Sequence, residues 1–196
     1  EAVPVEGTDI DVNIWTMPAV FVLETRMPDG MVEDLNSYLD DLRKQDDKES
    51  LAHSLVGQIA HGEQLNMDPE HEKVRQYSKF VTSLGAEYIN HFMKSTGSNL
   101  EKNRQVAVDE TWSVHSYAGD YNPIHDHGTK TIMGVSCTTW TKVPKQILDQ
   151  PTAGSPEYSL YNSSGNADGC LAFSYGRNSL LDVERLAPPQ SFVIKP

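Results

Sequence analysis

The spacing of apolar positions changes character along this chain, and each change predicts an element. Ile14 to Leu23 is apolar and β-rich, with Ile14, Trp15, Val20, Phe21 and Val22, and predicts an early strand interrupted near Pro18. Pro28-Asp29-Gly30 reads as a turn. From Met31 to Lys44 the spacing becomes helical: Met31, Leu35, Tyr38, Leu39 and Leu42 share one face and charges occupy the other. Gln45 to Ser50 is a charged loop. Leu51 to Leu65 reads either way, since Leu55-Val56-Gly57-Gln58-Ile59 fits a short strand or an extended segment. The longest helix is predicted to start at Asp68-Pro69-Glu70, with Asp68 as N-cap and Pro69 in the first helical position. Val74, Tyr77, Phe80, Val81, Leu84, Tyr88, Ile89 and Phe92 then form an apolar stripe, and Gly97 ends it. Such a stripe marks a core face rather than a cofactor site.

From Val106 onward the pattern turns to β. Val106–Val108, Glu110–Tyr117, Thr131–Val143, Gly169–Tyr175 and Ser191–Ile194 are strand candidates. Turn signals separate them: Gly119-Asp120, Gly128, Pro144, Pro151 to Pro156, Asn162 to Gly169 and Pro188-Pro189. Helices first and strands afterwards predict an α+β fold, a helical layer packed on a sandwich or barrel. At 196 residues the chain is expected to be a single domain, 1–196. Residues 1–105 would supply a strand and supporting helices, and 106–196 the remaining strands. Gln150 to Gly169 is a polar insertion placed to form a rim loop or lid.

The β-rich half also carries the candidate chemistry, Tyr121-Asn122-Pro123-Ile124-His125-Asp126-His127-Gly128. Histidines at i and i+2 on a strand point to one face, so His125 and His127 can converge on one metal ion while Asp126 points away. Imidazole is a common ligand for Zn, Fe, Cu and Ni. The chain has only 7 histidines, which makes two this close a specific signal. The competing reading is a polar loop that holds two histidines. His53 and His61 read as exposed or capping residues.

Charge narrows the partners. Lys and Arg number 16 against 28 Asp and Glu, a net −12, which argues against a nucleic-acid-binding surface and against an anionic membrane surface. No apolar run approaches the roughly 20 residues that span a bilayer. Glu1 to Asp11 is acidic and lacks the charged-then-apolar pattern of a signal peptide. Cys137 and Cys170 lack metal-type spacing and are expected to be reduced, buried thiols of a cytoplasmic protein. There is no Ser-His-Asp elbow and no phosphate loop.

The segment Trp112-Ser113-Val114 through Tyr117-Ala118-Gly119-Asp120 to Gly128 resembles the metal-binding strand of 2-oxoglutarate/Fe(II)-dependent oxygenases of the cyanophage and marine bacterial type. Gly134-Val135-Ser136-Cys137 with Trp140-Thr141-Lys142-Val143-Pro144 is similar to the strand after that motif. Asp168-Gly169-Cys170-Leu171-Ala172-Phe173 is similar to the strand after the insertion. Phe192-Val193-Ile194-Lys195-Pro196 resembles the lead-in to the strand of the distal ligand. The likeness covers about Glu24 to the end and is strongest from Trp112 to Pro144.

The resemblance implies a double-stranded β-helix (jelly-roll, cupin-like) with N-terminal supporting helices. It implies a mononuclear Fe(II) site, with open positions for 2-oxoglutarate and O₂ and a hydroxylated small molecule, peptide or protein as substrate. It places the protein in the cytoplasm of a bacterium or of a phage-infected host cell. His125 and His127 would be metal ligands; the Tyr117 phenol would reach an oxoacid carboxylate or sit as a half-buried sheet tyrosine, and Asn122 would bond the oxoacid or stabilise the turn before Pro123.

Two features depart from the pattern. His127 stands where the superfamily commonly has Asp or Glu, so either His125 and His127 form the pair or Asp126 turns inward. The distal His and the Arg that grips 2-oxoglutarate are expected beyond Pro196, with Arg177 a possible substitute. The alternatives are a cupin-type metalloprotein and a jelly-roll module with a binding or structural role. The cupin reading wants a Glu shortly after the second His, where Thr129, Lys130, Thr131 and Ile132 stand. Trp112 and Trp140 are expected in the core, and His115 alternates in phase with Tyr117.

Overall fold

The computed structural model describes residues 2–4, 11–17, 20–52, 61–97, 105–122, 125, 134–149, 169–175 and 190–194. The chain divides into two compact units, Glu1–Cys137 and Thr138–Pro196. Among the described residues the elements are mixed helix and sheet, with antiparallel sheets of three, two and two strands, and no double-stranded β-helix is displayed.

The first unit opens with β1 (Ala2–Pro4), β2 (Asp11–Met17) and β3 (Val20–Thr25), paired in the order β1-β2-β3. The apolar stretch around Pro18 is therefore two strands rather than one interrupted strand. Met17 pairs with Val20 and Val12 with Thr25, so β2 and β3 run antiparallel along their length.

Helix α1 (Asp29–Arg43) starts two residues before the expected Met31, because Met31 N and Val32 N both donate to the Pro28 carbonyl. Leu35, Tyr38 and Leu39 are buried on one face, as their spacing predicts. Helix α2 (Glu72–Thr96) supplies Val74 and Tyr77 to the same core. Met67 joins them, with Met27, Met31, Leu42 and Val81 packed around the cluster. Leu35 is 2% exposed and Val74 fully buried. Burial of a side chain of this size contributes about 1.5–3 kcal/mol.

The start of α2 corrects the expected cap. Asp68 lies in a turn of its own, where its Oδ1 accepts from Glu70 N at 2.9 Å and its carbonyl from His71 N at 3.1 Å. Tyr38 Oη accepts from Asp68 N at 2.8 Å, which ties that turn to α1. The helix begins after His71, whose Nδ1 accepts from Lys73 N. At the far end Gly97 takes the left-handed conformation, φ 65°, and stops the helix as expected. Near that end α2 lies against β3: Tyr88 Oη donates to the Phe21 carbonyl at 2.9 Å, and Phe21 meets Phe92 edge-on.

The β expectations survive in part. Strand β4 (Glu63–Asn66) pairs antiparallel with β5 (Trp112–His115), which is shorter than the expected Glu110–Tyr117. Thr111 adds one further bond, accepting at its carbonyl from Met67 N. Val106–Val108 is not a strand. Val106 Cγ1 sits over Gly85 of α2, so that backbone runs beside a helix rather than beside a ladder. The Leu55–Ile59 candidate lies outside the described residues.

In the second unit β6 (Leu171–Tyr175) pairs with β7 (Gln190–Ile194), close to the predicted ranges. Residues 138–143, and 134–137 before them, form no strand, while 131–133 lie outside the described residues. A short helix, α3 (Lys145–Leu148), follows Pro144 and was not anticipated. The insertion at 150–168 also lies outside the described residues. Among the described residues no helix is long and apolar enough to cross a membrane.

Candidate functional site

The β4–β5 ribbon sets the frame for the histidine segment. Its register pairs Glu63 with His115, Gln64 with Val114, Leu65 with Ser113 and Asn66 with Trp112. Opposed residues share a face. One face carries Leu65, 1% exposed, and Ser113, 8% exposed, and is buried. The other carries Val114 and Trp112, at 48% and 38% exposed, so Trp112 is not the core residue that was expected. Trp140 is half-buried. His115 is half-buried, with its Nε2 3.1 Å from Ser113 Oγ.

Beyond β5 the chain turns at Tyr117–Asp120. Gly119 has φ 92°, the sign that the third residue of a type II turn requires. Asp120 N donates to the Tyr117 carbonyl at 3.0 Å, and Asp120 Oδ2 accepts from Tyr117 N at 2.8 Å. Asp120 Oδ1 accepts from His61 N at 3.3 Å, joining the turn to the segment that enters β4.

The Tyr117 side chain is held from a third direction. Arg43 Nη2, at the end of α1, donates to Tyr117 Oη at 2.7 Å. Arg43 Nε pairs with Glu63 Oε2 at 3.1 Å, and Lys48 Nζ pairs with Glu63 Oε1 at 3.0 Å. Lys48 Nζ also donates to the Arg43 carbonyl. Lys48 and then Arg43 hold the Glu63 carboxyl below its ordinary value. Hydrogen bonds to Glu63 and then to Tyr117 raise Arg43. Two cations meet one carboxylate here, so these three side chains sum to +1 within a chain of net −12. Sequence reading missed Arg43, Lys48 and Glu63, because nothing local marks them: Arg43 and Tyr117 are 74 positions apart.

Of the sequence-predicted site residues, Tyr117, Asn122 and His125 are all exposed. The Tyr117 phenol accepts from Arg43 and keeps its own proton to donate. An exposed imidazole at His125 is reachable by a metal ion, and imidazole is a donor that suits iron. His127, Asp126, His53 and Arg177 lie outside the described residues. His61 is exposed, as expected. Among the described residues no group of three or more His, Cys, Asp or Glu is placed to hold a metal ion. Cys137 is exposed and Cys170 half-buried, neither in a disulfide, which corrects the expectation of two buried thiols.

No family model matches the chain, and neither a curated protein nor a solved structure matches it.

Proposed function

We propose that this chain is a 2-oxoglutarate- and Fe(II)-dependent oxygenase domain of the double-stranded β-helix type, acting as a hydroxylase. His125 and His127 would hold the metal, with Tyr117 and Asn122 facing the oxoacid. Its substrate would be a small molecule, peptide or protein, encountered in the cytoplasm of a bacterium or phage-infected cell. The observation that carries the reading is the His-x-His pair within the segment from Trp112 to Pro144. The exposure of Tyr117, Asn122 and His125 on the stretch that leaves β5 supports it. Bound iron would supply oxygen activation. The chain's own groups would orient the oxoacid, with the Tyr117 hydroxyl donating to a carboxylate and Arg43 holding that phenol in place.

The test is anaerobic titration with Fe(II), then with 2-oxoglutarate, followed by visible charge-transfer absorption. One equivalent of Fe(II) should bind, and 2-oxoglutarate should change the spectrum. His125→Ala should abolish both effects. Metal uptake that is absent, or that survives His125→Ala and His127→Ala unchanged, sinks the proposal.

A further inference from the structure

We propose that the cluster at the end of α1 binds the oxyanion group, carboxylate or phosphoryl, of a small molecule. Arg43, Lys48, Glu63 and Tyr117 form it, and it stands apart from the question of metal. Unused donors are its first mark. Arginine has five N–H donors. Arg43 gives one from Nε to Glu63 and one from Nη2 to Tyr117, which leaves three of the five with no protein partner among the described residues. Lysine has three N–H donors. Lys48 gives one to Glu63 Oε1 and one to the Arg43 carbonyl, which leaves one. Tyr117 Oη accepts from Arg43 and has its own proton left to give.

Charge and shape point the same way. The Glu63 carboxylate already receives both cations, one on each oxygen, so the cluster keeps a charge of +1 within a chain of net −12. A guanidinium fork matches the paired oxygens of a carboxylate or phosphoryl group. Glu63 and Tyr117 already orient that fork, which lowers the freedom an arriving anion must remove. Arg43 and Lys48 remain reachable, with side chains 34% and 27% exposed. Lys48 also lines a groove of about 190 Å³ with Leu42, Leu51, Leu65, Glu49 and Asn66. Glu49 opposes an anion inside the groove. The charged end of the ligand therefore belongs at Arg43 and Tyr117, and the three leucines receive a short apolar body.

The experiment titrates the full chain with acetate, butyrate and inorganic phosphate, against chloride at matched ionic strength. Calorimetry gives affinity, and the NMR shift of Arg43 Nε–H reports the site. Acetate and butyrate test a carboxylate ligand and phosphate a phosphoryl one, and saturable binding of either supports the proposal. Butyrate should bind more tightly than acetate through the groove. Arg43→Met should weaken binding about tenfold or more, with Arg43→Lys, which keeps the charge without the fork, in between. Tyr117→Phe should weaken it roughly two- to tenfold. Glu63→Gln removes the competing carboxylate and should tighten binding roughly two- to fivefold.

No saturable binding of any of the three oxyanions overturns the proposal, as does chloride binding equally well. Affinity unchanged in both Arg43→Met and Tyr117→Phe overturns it too, as does binding weakened in Glu63→Gln. Butyrate no tighter than acetate overturns the part given to the groove. Urea unfolding of each variant guards against a folding defect, and Tyr117→Phe, which deletes one oxygen, keeps the test decisive if Arg43→Met unfolds.

Discussion

Replacing Glu63 by Gln tests the ion-pair cluster that ties α1 to the β4–β5 ribbon. Glu63 receives Lys48 at 3.0 Å and Arg43 at 3.1 Å, with side chains 23–34% exposed. Pairs this wet fall far short of the Coulomb energy of a dry contact, and exposed pairs contribute about 0.2–1 kcal/mol each. Two of them give roughly 0.5–2 kcal/mol, and Gln also leaves two cations aimed at one uncharged group. We therefore expect Glu63→Gln to cost about 1 kcal/mol at pH 7.

The pH dependence follows from the direction of the shift. The folded carboxyl lies below its ordinary value of 4.5, so its contribution is complete above 4.5 and is lost as pH falls through the lower folded value. The assay is urea unfolding followed by fluorescence in a Trp112-only background, since Trp112 sits on β5 opposite Asn66. The gap between wild type and Glu63→Gln should hold from pH 7 to about 4.5 and close below it. A double-mutant cycle with Lys48→Met should show coupling of a few tenths of a kcal/mol or more. Equal stability at pH 7, or a gap that stays constant into acid, would refute the reasoning.

Other substitutions test the core, a helix end and the packing of α2 on β3. Leu35→Ala, at a site 2% exposed between α1 and α2, should cost about 2–5 kcal/mol in urea unfolding. Gly97→Ala places a Cβ at φ 65° and should cost about 1–2 kcal/mol by the same measurement. Tyr88→Phe removes the bond to the Phe21 carbonyl and should cost about 0.5–1.5 kcal/mol. Burial raises Tyr88 above its ordinary value of 10.0, so that bond is intact below 10 and lost as pH rises through the higher folded value. Spectrophotometric titration should therefore show a late-ionising phenol that Tyr88→Phe removes.

What could be read from the sequence divides along a physical line. Helices α1 and α2 were legible because their signal lies within one turn of the chain: Leu35, Tyr38 and Leu39 recur at helical spacing and are buried together. Gly97 likewise announced its own conformation. The start of α2 was misplaced because Asp68 had a rival use. It closes a turn with Glu70 and donates its N–H to Tyr38 of α1, and no local rule weighs a partner 30 positions away. Strands were less legible, since a strand exists only beside another. Val106–Val108 has strand composition but lies against Gly85 of a helix, while Glu63–Asn66, with only Leu65 apolar, is a strand because Trp112–His115 runs beside it.

The candidate site divides the same way. The expectation of a pair at His125 and His127 needs only two positions and the pleat, and His127 lies outside the described residues. Gly119-Asp120 was visible only as a turn. That the Asp120 carboxylate also takes His61 N is a tertiary fact, as is the meeting of Arg43 with Tyr117. Candidate donors can thus be named one at a time from the sequence, whereas the groups that fasten the turn after β5 could not. This asymmetry is expected wherever a polar loop is fixed from outside itself. A ligand's chemistry belongs to its residue type, but orientation belongs to whichever distant groups pair with the backbone around it. Glu63, Arg43 and Asp120 have ordinary side chains in ordinary local sequence. Only the pairing of β4 with β5, and the end of α1 beside them, gives those side chains a common task.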